Sequence, residues 1–214
     1  MNEVISVVEV SKTYGQQQVL RNVSLHCERG KIYGLVGRNG SGKTVLLKSI
    51  CGLCRPDSGS IRVWGQEVGK DVDFPENLGF IIESPGFLPH ASAMQNLQYL
   101  ASIRGKIGRD ELMEAIRLVG LNPEDKKHVC KYSLGMRQRL GLAQAMMEQP
   151  DLLILDEPMN GLDAQGVQDI RSLLLRLRDE GKTILLASHF QEDISLLCDA
   201  VYQMDAGVLS PLHV

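Results

Sequence analysis

The sequence predicts an α/β fold: a mostly parallel sheet with helices on its faces, antiparallel strands at the N-terminus and an inserted α-helical subdomain. Three observations predict it. Short apolar runs of strand length alternate with stretches whose apolar residues recur at helical spacing. A glycine-rich turn joins one of these strands to a helix. The stretch from about 88 to 148 has no strand-like run and reads as helical throughout. The length of 214 residues suits a single domain, 1–214, in which about 1–87 and 149–214 form the core and about 88–148 the helical subdomain.

The elements follow in order. Val4–Val8 and Val19–Leu25 read as strands, and Lys31–Val36 is an apolar strand running into a turn at Gly37. A helix is expected from Lys43 to about Cys51. Pro56-Asp57-Ser58-Gly59 is a turn signal, and Ile61–Trp64 and Leu78–Ile82 are strand-like. From about Met94 to Gly120, first Leu97, Leu100 and Ile103 and then Leu112, Ile116 and Val119 recur at helical spacing. A further helix is expected from about Met136 to Glu148. Strand Leu152–Leu155, a helix over about Ala164–Glu180, strand Thr183–Ala187, another helix and a hairpin around Asp205-Ala206-Gly207 come next. The sequence contains no internal repeat, low-complexity segment or flexible linker.

Composition narrows the function classes. Hydrophobic residues make up 43% and charged residues 23%, ordinary values for a globular protein. Lys plus Arg number 23 and Asp plus Glu 26, a net charge of −3, so there is no electrostatic footprint for nucleic acid and no nucleic-acid partner is expected. No run approaches the roughly 18 apolar residues of a membrane span. The opening MNEVISVVEV has an early Glu and no basic region before a long apolar run, so it does not read as a signal peptide. The chain is expected in the cytoplasm, reaching a membrane only through a partner. Five scattered cysteines, Cys27, Cys51, Cys54, Cys130 and Cys198, argue against a disulfide framework. Cys51 and Cys54 have redox or zinc spacing, but no second pair matches them, and they read as small buried side chains.

The chemistry starts at Gly37-Arg38-Asn39-Gly40-Ser41-Gly42-Lys43-Thr44, which fits the P-loop pattern G-x-x-x-x-G-K-[ST] between a strand and a helix. Its glycines let backbone N–H groups turn inward around an anion, and the new helix adds the positive end of its dipole. Lys43 can reach terminal phosphates, and the Thr44 hydroxyl can join a Mg²⁺ shell. Such a loop needs acids at the end of another strand, and Leu152–Leu155 followed by Asp156 and Glu157 supplies them. Asp156 is the candidate for Mg²⁺, and Glu157 for polarising the attacking water. The core is therefore expected to be of the P-loop NTPase type, with ATP and Mg²⁺ as its ligands.

Between these motifs lies Tyr132-Ser133-Leu134-Gly135-Met136-Arg137-Gln138-Arg139-Leu140, with Ser133 and Gly135 opening a helix as a second anion site. The stretch resembles the signature of ATP-binding-cassette (ABC) ATPases. The resemblance extends over essentially the whole chain. It implies that two subunits, identical or not, pair head to tail, each signature closing over the other's ATP. It makes Tyr14 the candidate aromatic for adenine stacking, although alone such a Tyr reads as packing. It makes Asn160-Gly161-Leu162-Asp163 a loop that crosses the subunit interface, and His189, after Ser188, the switch histidine that contacts the γ-phosphate.

Three departures refine the resemblance. Glu83 stands where the family carries Gln, Leu134 replaces the first Gly of the signature, and Met136 replaces its Gln. These features look like the bacitracin-resistance and lantibiotic-immunity branch of peptide exporters. They place Glu83 as a possible Mg²⁺ ligand and bear on coupling, since the catalytic residues are retained. The sequence stops soon after the last hairpin, and on this reading no accessory regulatory domain is expected. The implied function is an ATPase that drives export of an antimicrobial peptide or small amphiphile through a separate permease, at the cytoplasmic face of the membrane. Ser84–Asn96, with Phe87, Leu88, Pro89 and Met94, is the expected permease contact, or else packs beneath the helical subdomain. The competing readings are a soluble ABC ATPase acting on ribosomes or DNA and a P-loop kinase. Soluble members carry tandem cassettes or a long coiled-coil insertion, neither of which this sequence has. The second helix-start anion site and Ser188-His189 argue against a kinase.

Overall fold

The computed structural model describes residues 2–83 and 85–212. Strands β1 (Glu3–Tyr14) and β2 (Gln17–Glu28) form an antiparallel hairpin. They extend well past the apolar runs Val4–Val8 and Val19–Leu25, because the polar ends near Tyr14 and Gln17 pair through backbone alone. β4 (Ser58–Val63) pairs antiparallel with β1, and the short β5 (Gln66–Glu67) follows it, giving the order β2-β1-β4-β5. Ser58 and Gly59, expected in a turn, instead open β4 beside an irregularity in its pairing with β1.

The second sheet has the order β10-β9-β3-β8-β7-β6. β3 (Ile32–Val36), β6 (Leu78–Ile81), β7 (Leu152–Asp156), β8 (Thr183–Ala187) and β9 (Ala200–Asp205) are parallel to their neighbours. Only β10 (Val208–Leu212) runs antiparallel, in a hairpin whose tip residues Ala206 and Gly207 both have positive φ. Both faces of the central strands are covered, so β7 and β8 read as continuous apolar runs rather than alternating ones. Their side chains divide between two cores. Leu152, Ile154 and Leu185 join Leu46, Leu47, Ile61 and Leu25 between the sheets. Leu153, Leu155 and Leu186 join Leu97, Ile116, Leu140 and Leu174 under the helices.

α1 (Lys43–Ile50) follows β3, α5 (Ala164–Asp179) precedes β8, and α6 (Gln191–Leu197) precedes β9. Between β6 and β7 lie α2 (Ala93–Arg104), α3 (Arg109–Leu118), a 3₁₀ turn at Val129–Lys131 and α4 (Leu134–Met146). The helical pattern read over Met94–Gly120 is thus two helices. Gly105 ends α2 in the left-handed conformation at φ 62°, which a glycine adopts without a Cβ penalty. Ile103, read as part of the apolar stripe, is 79% exposed, whereas Leu97 is fully buried. α4 presses on the edge strand β6 at Gly79, where a Cβ would overlap the Ala145 carbonyl oxygen. Because β3, β7 and β8 are parallel, their C-terminal ends share one edge of the sheet. Gly37, Asp156 and Ser188 therefore arrive together.

Candidate functional site

The glycine-rich loop spans the gap from β3 to α1. Gly42 precedes the first residue of α1 at φ 115°, and no side chain caps the helix. The first turn of α1 carries no acid, so the leading amides and the positive end of the dipole are uncompensated. Lys43 is buried, and its Nζ donates to the carbonyl oxygens of Gly37 at 2.6 Å and Arg38 at 3.3 Å. Ser41 Oγ is buried without a hydrogen-bond partner. Arg38, Asn39 and Gly40 are exposed at the loop tip. Residues Asn39–Val45, with Val19, Asp156 and Glu157, line a cleft of about 310 Å³. An uncapped helix start, a folded-back ammonium and an orphaned hydroxyl form a donor set that suits a phosphate chain.

Asp156 ends β7, and its Oδ2 accepts from Thr44 Oγ1 at 2.7 Å. Burial raises its carboxyl above the ordinary range; the Thr44 bond opposes this, and the negative charges of Glu157 and Glu83 add to it. A half-buried carboxylate beside a hydroxyl is a pair of oxygens suited to a hard dication. Thr44 and Asp156 are therefore the residues that fit Mg²⁺. Glu83 stands apart: its exposed carboxylate takes Lys48 Nζ at 2.6 Å, although its charge is felt at Asp156.

Glu157 has a left-handed backbone, φ 50°, a conformation disfavoured for a residue with a Cβ and concentrated at functional sites. Its amide donates to Ala187 O at 2.9 Å, and Gln138 Nε2 on α4 donates to the carbonyls of Glu157 and Pro158 at 3.1 and 3.2 Å. His189 Nδ1 lies 2.8 Å from Glu157 Oε2. The residue before it, Ser188, accepts from Phe190 N at 3.1 Å and donates to Asp193 Oδ2 at 3.4 Å. Asp193, 2% exposed, accepts from Arg171 Nε and Nη2 at 2.8 and 2.6 Å. A buried ion pair between α5 and α6 thereby fixes the backbone that carries His189.

Gly37 through Thr44, Asp156, Glu157 and His189 are thus brought together, and Ser133, Gly135 and Tyr14 are not among the residues lining the cleft. Ser133 caps α4, its Oγ accepting from Met136 N at 3.2 Å. Gly135 is required by close approach, since a Cβ there would lie 2.8 Å from Gly161 O. Leu134 is 62% exposed, and its side chain lies against Gly161. Tyr14 is exposed at the end of β1, with its hydroxyl 3.0 Å from Cys54 Sγ. Cys54 is therefore half-buried rather than sealed away, while Cys51 is buried.

Of the segment expected to contact a permease, Ser84 lies outside the described residues. Phe87 and Met94 pack against the helical-side core, whereas Leu88 is 51% exposed. Asn96 fixes the loop by accepting from Leu88 N at 2.7 Å and donating to Leu88 O at 3.2 Å. Sequence reasoning missed Lys48, Gln138 and Arg171. Lys48 was legible as the residue one helical turn past Thr44; Gln138 stood inside the quoted signature; Arg171 had no local signal, because its partners lie 21 and 22 residues onward. Among the described residues no helix is long and apolar enough to cross a membrane.

Comparison with known proteins places these features. The family pattern described as ABC transporter matches residues 20–160. An uncharacterized ABC transporter ATP-binding protein of Bacillus subtilis (strain 168), YybJ, is 43% identical, covering 96% of this chain and 94% of its own. The bacitracin transport ATP-binding protein BcrA of Enterococcus faecalis is 42% identical over 98% of this chain and 68% of its own length. The lantibiotic transport ATP-binding protein SrtF of Streptococcus pyogenes is 36% identical over 92% and 85%. The dimeric post-hydrolysis cassette MJ0796, bound to ADP and Pi, matches with a TM-score of 0.87 over 98% of this chain and 99% of that one; at 21% identity this is a likeness of fold. CbiO1 of Clostridium perfringens, part of the ABC transporter complex CbiONQ, matches with a TM-score of 0.83 at 27% identity, over 98% and 88%.

Proposed function

The chain belongs to the ABC transporter family of ATP-binding proteins, and on that footing we propose that it hydrolyses ATP to drive export of an antimicrobial peptide or small amphiphile through a separate permease. The observation that carries the ATPase reading is the convergence of the phosphate loop, Asp156, Glu157 and His189 on one sheet edge. The kinship with BcrA and SrtF supports the peptide class. Resemblance to a dimeric cassette fold supports pairing with a second ATPase subunit. Peripheral attachment to the cytoplasmic membrane face through the permease follows from the same reading.

The residues divide the work. Lys43 leaves the carbonyls of Gly37 and Arg38 for the terminal phosphates, and the leading amides of α1 hold the rest of the chain. Thr44 and Asp156 would hold Mg²⁺, which would supply positive charge to offset the negative charge of the phosphates. Glu157 orients and polarises the attacking water, and His189 orients Glu157 and faces the γ-phosphate. Ser133 and Gly135, outside their own cleft, serve the nucleotide of the other subunit.

Leu88, before α2, and Tyr99 and Ile103, along α2, are the exposed apolar side chains offered to the permease. The deciding experiment is co-purification of the chain with a multi-span membrane protein from detergent, followed by peptide efflux in reconstituted vesicles. Leu88→Ala with Ile103→Ala is expected to lower permease-stimulated ATPase about tenfold or more while sparing the basal rate, since hot-spot truncations cost upward of ~1–2 kcal/mol. Recovery of the chain only with ribosomes or DNA would overturn the transport reading.

A further inference from the structure

Outside the lining of the nucleotide cleft, His90, His128 and Cys130 meet on the surface of the helical region, with one ligand atom of each lying within 4.8 Å of the others. Backbone geometry brings them there. Cys130 N donates to Pro89 O at 2.9 Å and Val129 N to Ala91 O at 3.0 Å, so the two carbonyls flanking His90 clamp its loop against the 3₁₀ turn. The turn is closed by Lys131 N donating to His128 O at 2.9 Å, which puts His128 and Cys130 on the same side as His90. The two imidazoles stand edge to face, with centroids 6.4 Å apart. None of these side chains is used by the ATPase reading.

We propose that His90, His128 and Cys130 form a binding site for a zinc-class transition-metal ion that ties the loop before α2 to the turn leading into α4. Two imidazoles and a thiol are borderline-to-soft donors, which select zinc, copper or nickel over the oxygen-seeking Mg²⁺. Three protein ligands with an open fourth position match a solvent-accessible tetrahedral site. Metal–ligand bonds of about 2.0–2.3 Å put neighbouring donor atoms about 3.3–3.7 Å apart. The exposed side chains therefore close by roughly 1 Å through ordinary rotation about χ1 and χ2. Lys126, Lys127 and Lys131 are nearby cations, but all three are solvent-exposed, where water and salt screen their repulsion. Lys127 also leans away, with its Nζ 5.8 Å from the Tyr132 ring centroid.

The position gives the site a consequence. His90 belongs to the loop carrying Leu88, and Cys130 lies three residues before Ser133, the cap of α4. A bound ion would join, by direct bonds, the loop that carries Leu88 to the turn leading into the helix assigned to the second subunit's nucleotide. That regulatory role rests on the transport reading, whereas the metal site itself does not.

The test uses the isolated full chain and cobalt(II), a spectroscopically visible stand-in for zinc. One equivalent of Co²⁺ should produce a thiolate charge-transfer band that Zn²⁺ bleaches by displacement. Cys130→Ser should remove the band. His90→Ala with His128→Ala should weaken zinc binding by more than about 100-fold, beyond the loss typical of a disturbed outer-shell partner. Cys54→Ser should change neither. Each variant should retain wild-type ATP affinity, which shows that it is folded. Hydrogen exchange of the Val129 and Cys130 amides should slow when zinc is added. A band that persists in Cys130→Ser, a zinc affinity unmoved by the double His variant, or no saturable binding by the wild type would each overturn the proposal.

Discussion

Asp156, the proposed Mg²⁺ ligand, is a half-buried carboxylate among other acids. Burial raises its carboxyl, and the nearby charges of Glu157 and Glu83 add to the cost of ionising it. A carboxyl whose folded value is raised binds its proton more tightly when folded. Its contribution to stability is therefore present at low pH and lost as pH rises through the raised value. Asp156→Asn removes that loss while keeping an oxygen for the Thr44 hydroxyl. The variant should melt about 2 °C above the wild type at neutral pH without nucleotide, a modest figure for a site water still partly reaches. The difference should shrink as pH falls through the Asp156 titration, and calorimetry across pH is the check. The same variant should lose Mg²⁺-dependent hydrolysis, trading function for stability. Glu157 is held in place by two partners. His189 takes its carboxylate and Gln138 its carbonyl. Glu157→Gln should bind ATP as the wild type does and hydrolyse it roughly 10²–10⁴-fold more slowly, the contribution of a positioned base. A single-turnover assay separates the two effects; near-normal turnover would move the role to His189.

At the scale of elements, the buried pair of Arg171 and Asp193 joins α5 to α6 and, through Ser188, steadies the backbone before His189. Arg171→Met keeps the side-chain volume but strands the Asp193 carboxylate away from water. Loss of one partner of a buried pair costs about 3 kcal/mol. Urea denaturation should show that loss with an unchanged slope, and hydrolysis by the folded fraction should fall because His189 is no longer held. This pair also marks the limit of what the sequence made legible. The order of strands and helices could be read because each parallel strand is a short apolar run, as at Leu152–Leu155 and Thr183–Ala187, and the phosphate loop, the acidic pair and Ser188-His189 each sit at a strand end. The cluster of Lys43, Thr44, Asp156 and Glu157 followed from that placement. Element ends were less legible. Backbone pairing extends β1 and β2 beyond their apolar centres, and Gly105 breaks a stripe that looked continuous through Ile103. The pairings of Arg171 with Asp193 and of Lys48 with Glu83 depend on tertiary packing across 22 and 35 residues, so spacing marked neither pairing, although Lys48 itself stood one helical turn past Thr44.

For the whole molecule, the separation between the cleft and Ser133 supports the proposal that turnover needs two subunits. Ser133 caps α4, whose next residues Leu134 and Gly135 lie against Gly161, and it is not among the residues that surround the phosphate loop. A subunit acting alone would leave that helix start without an anion. Ser133→Arg should therefore leave the first ATP contact of an isolated subunit intact, because the loop and Asp156 are untouched. It forfeits the cap of α4, about 1 kcal/mol, which is too little to unfold a domain of this size. Hydrolysis should nevertheless fall to background, since an Arg side chain at the shared interface fills the space of the other subunit's nucleotide. Lys43→Ala should fail for the opposite reason, by losing charge-assisted contacts to the phosphates it holds itself. Mixing the two inactive proteins then produces dimers in which one composite site carries both lesions and the other carries none. Activity that returns on mixing, peaks near equal amounts and vanishes on dilution below the dimer's dissociation range would establish that the signature acts on the partner's nucleotide. Normal turnover by Ser133→Arg alone would instead make the start of α4 a capped helix with no part in hydrolysis.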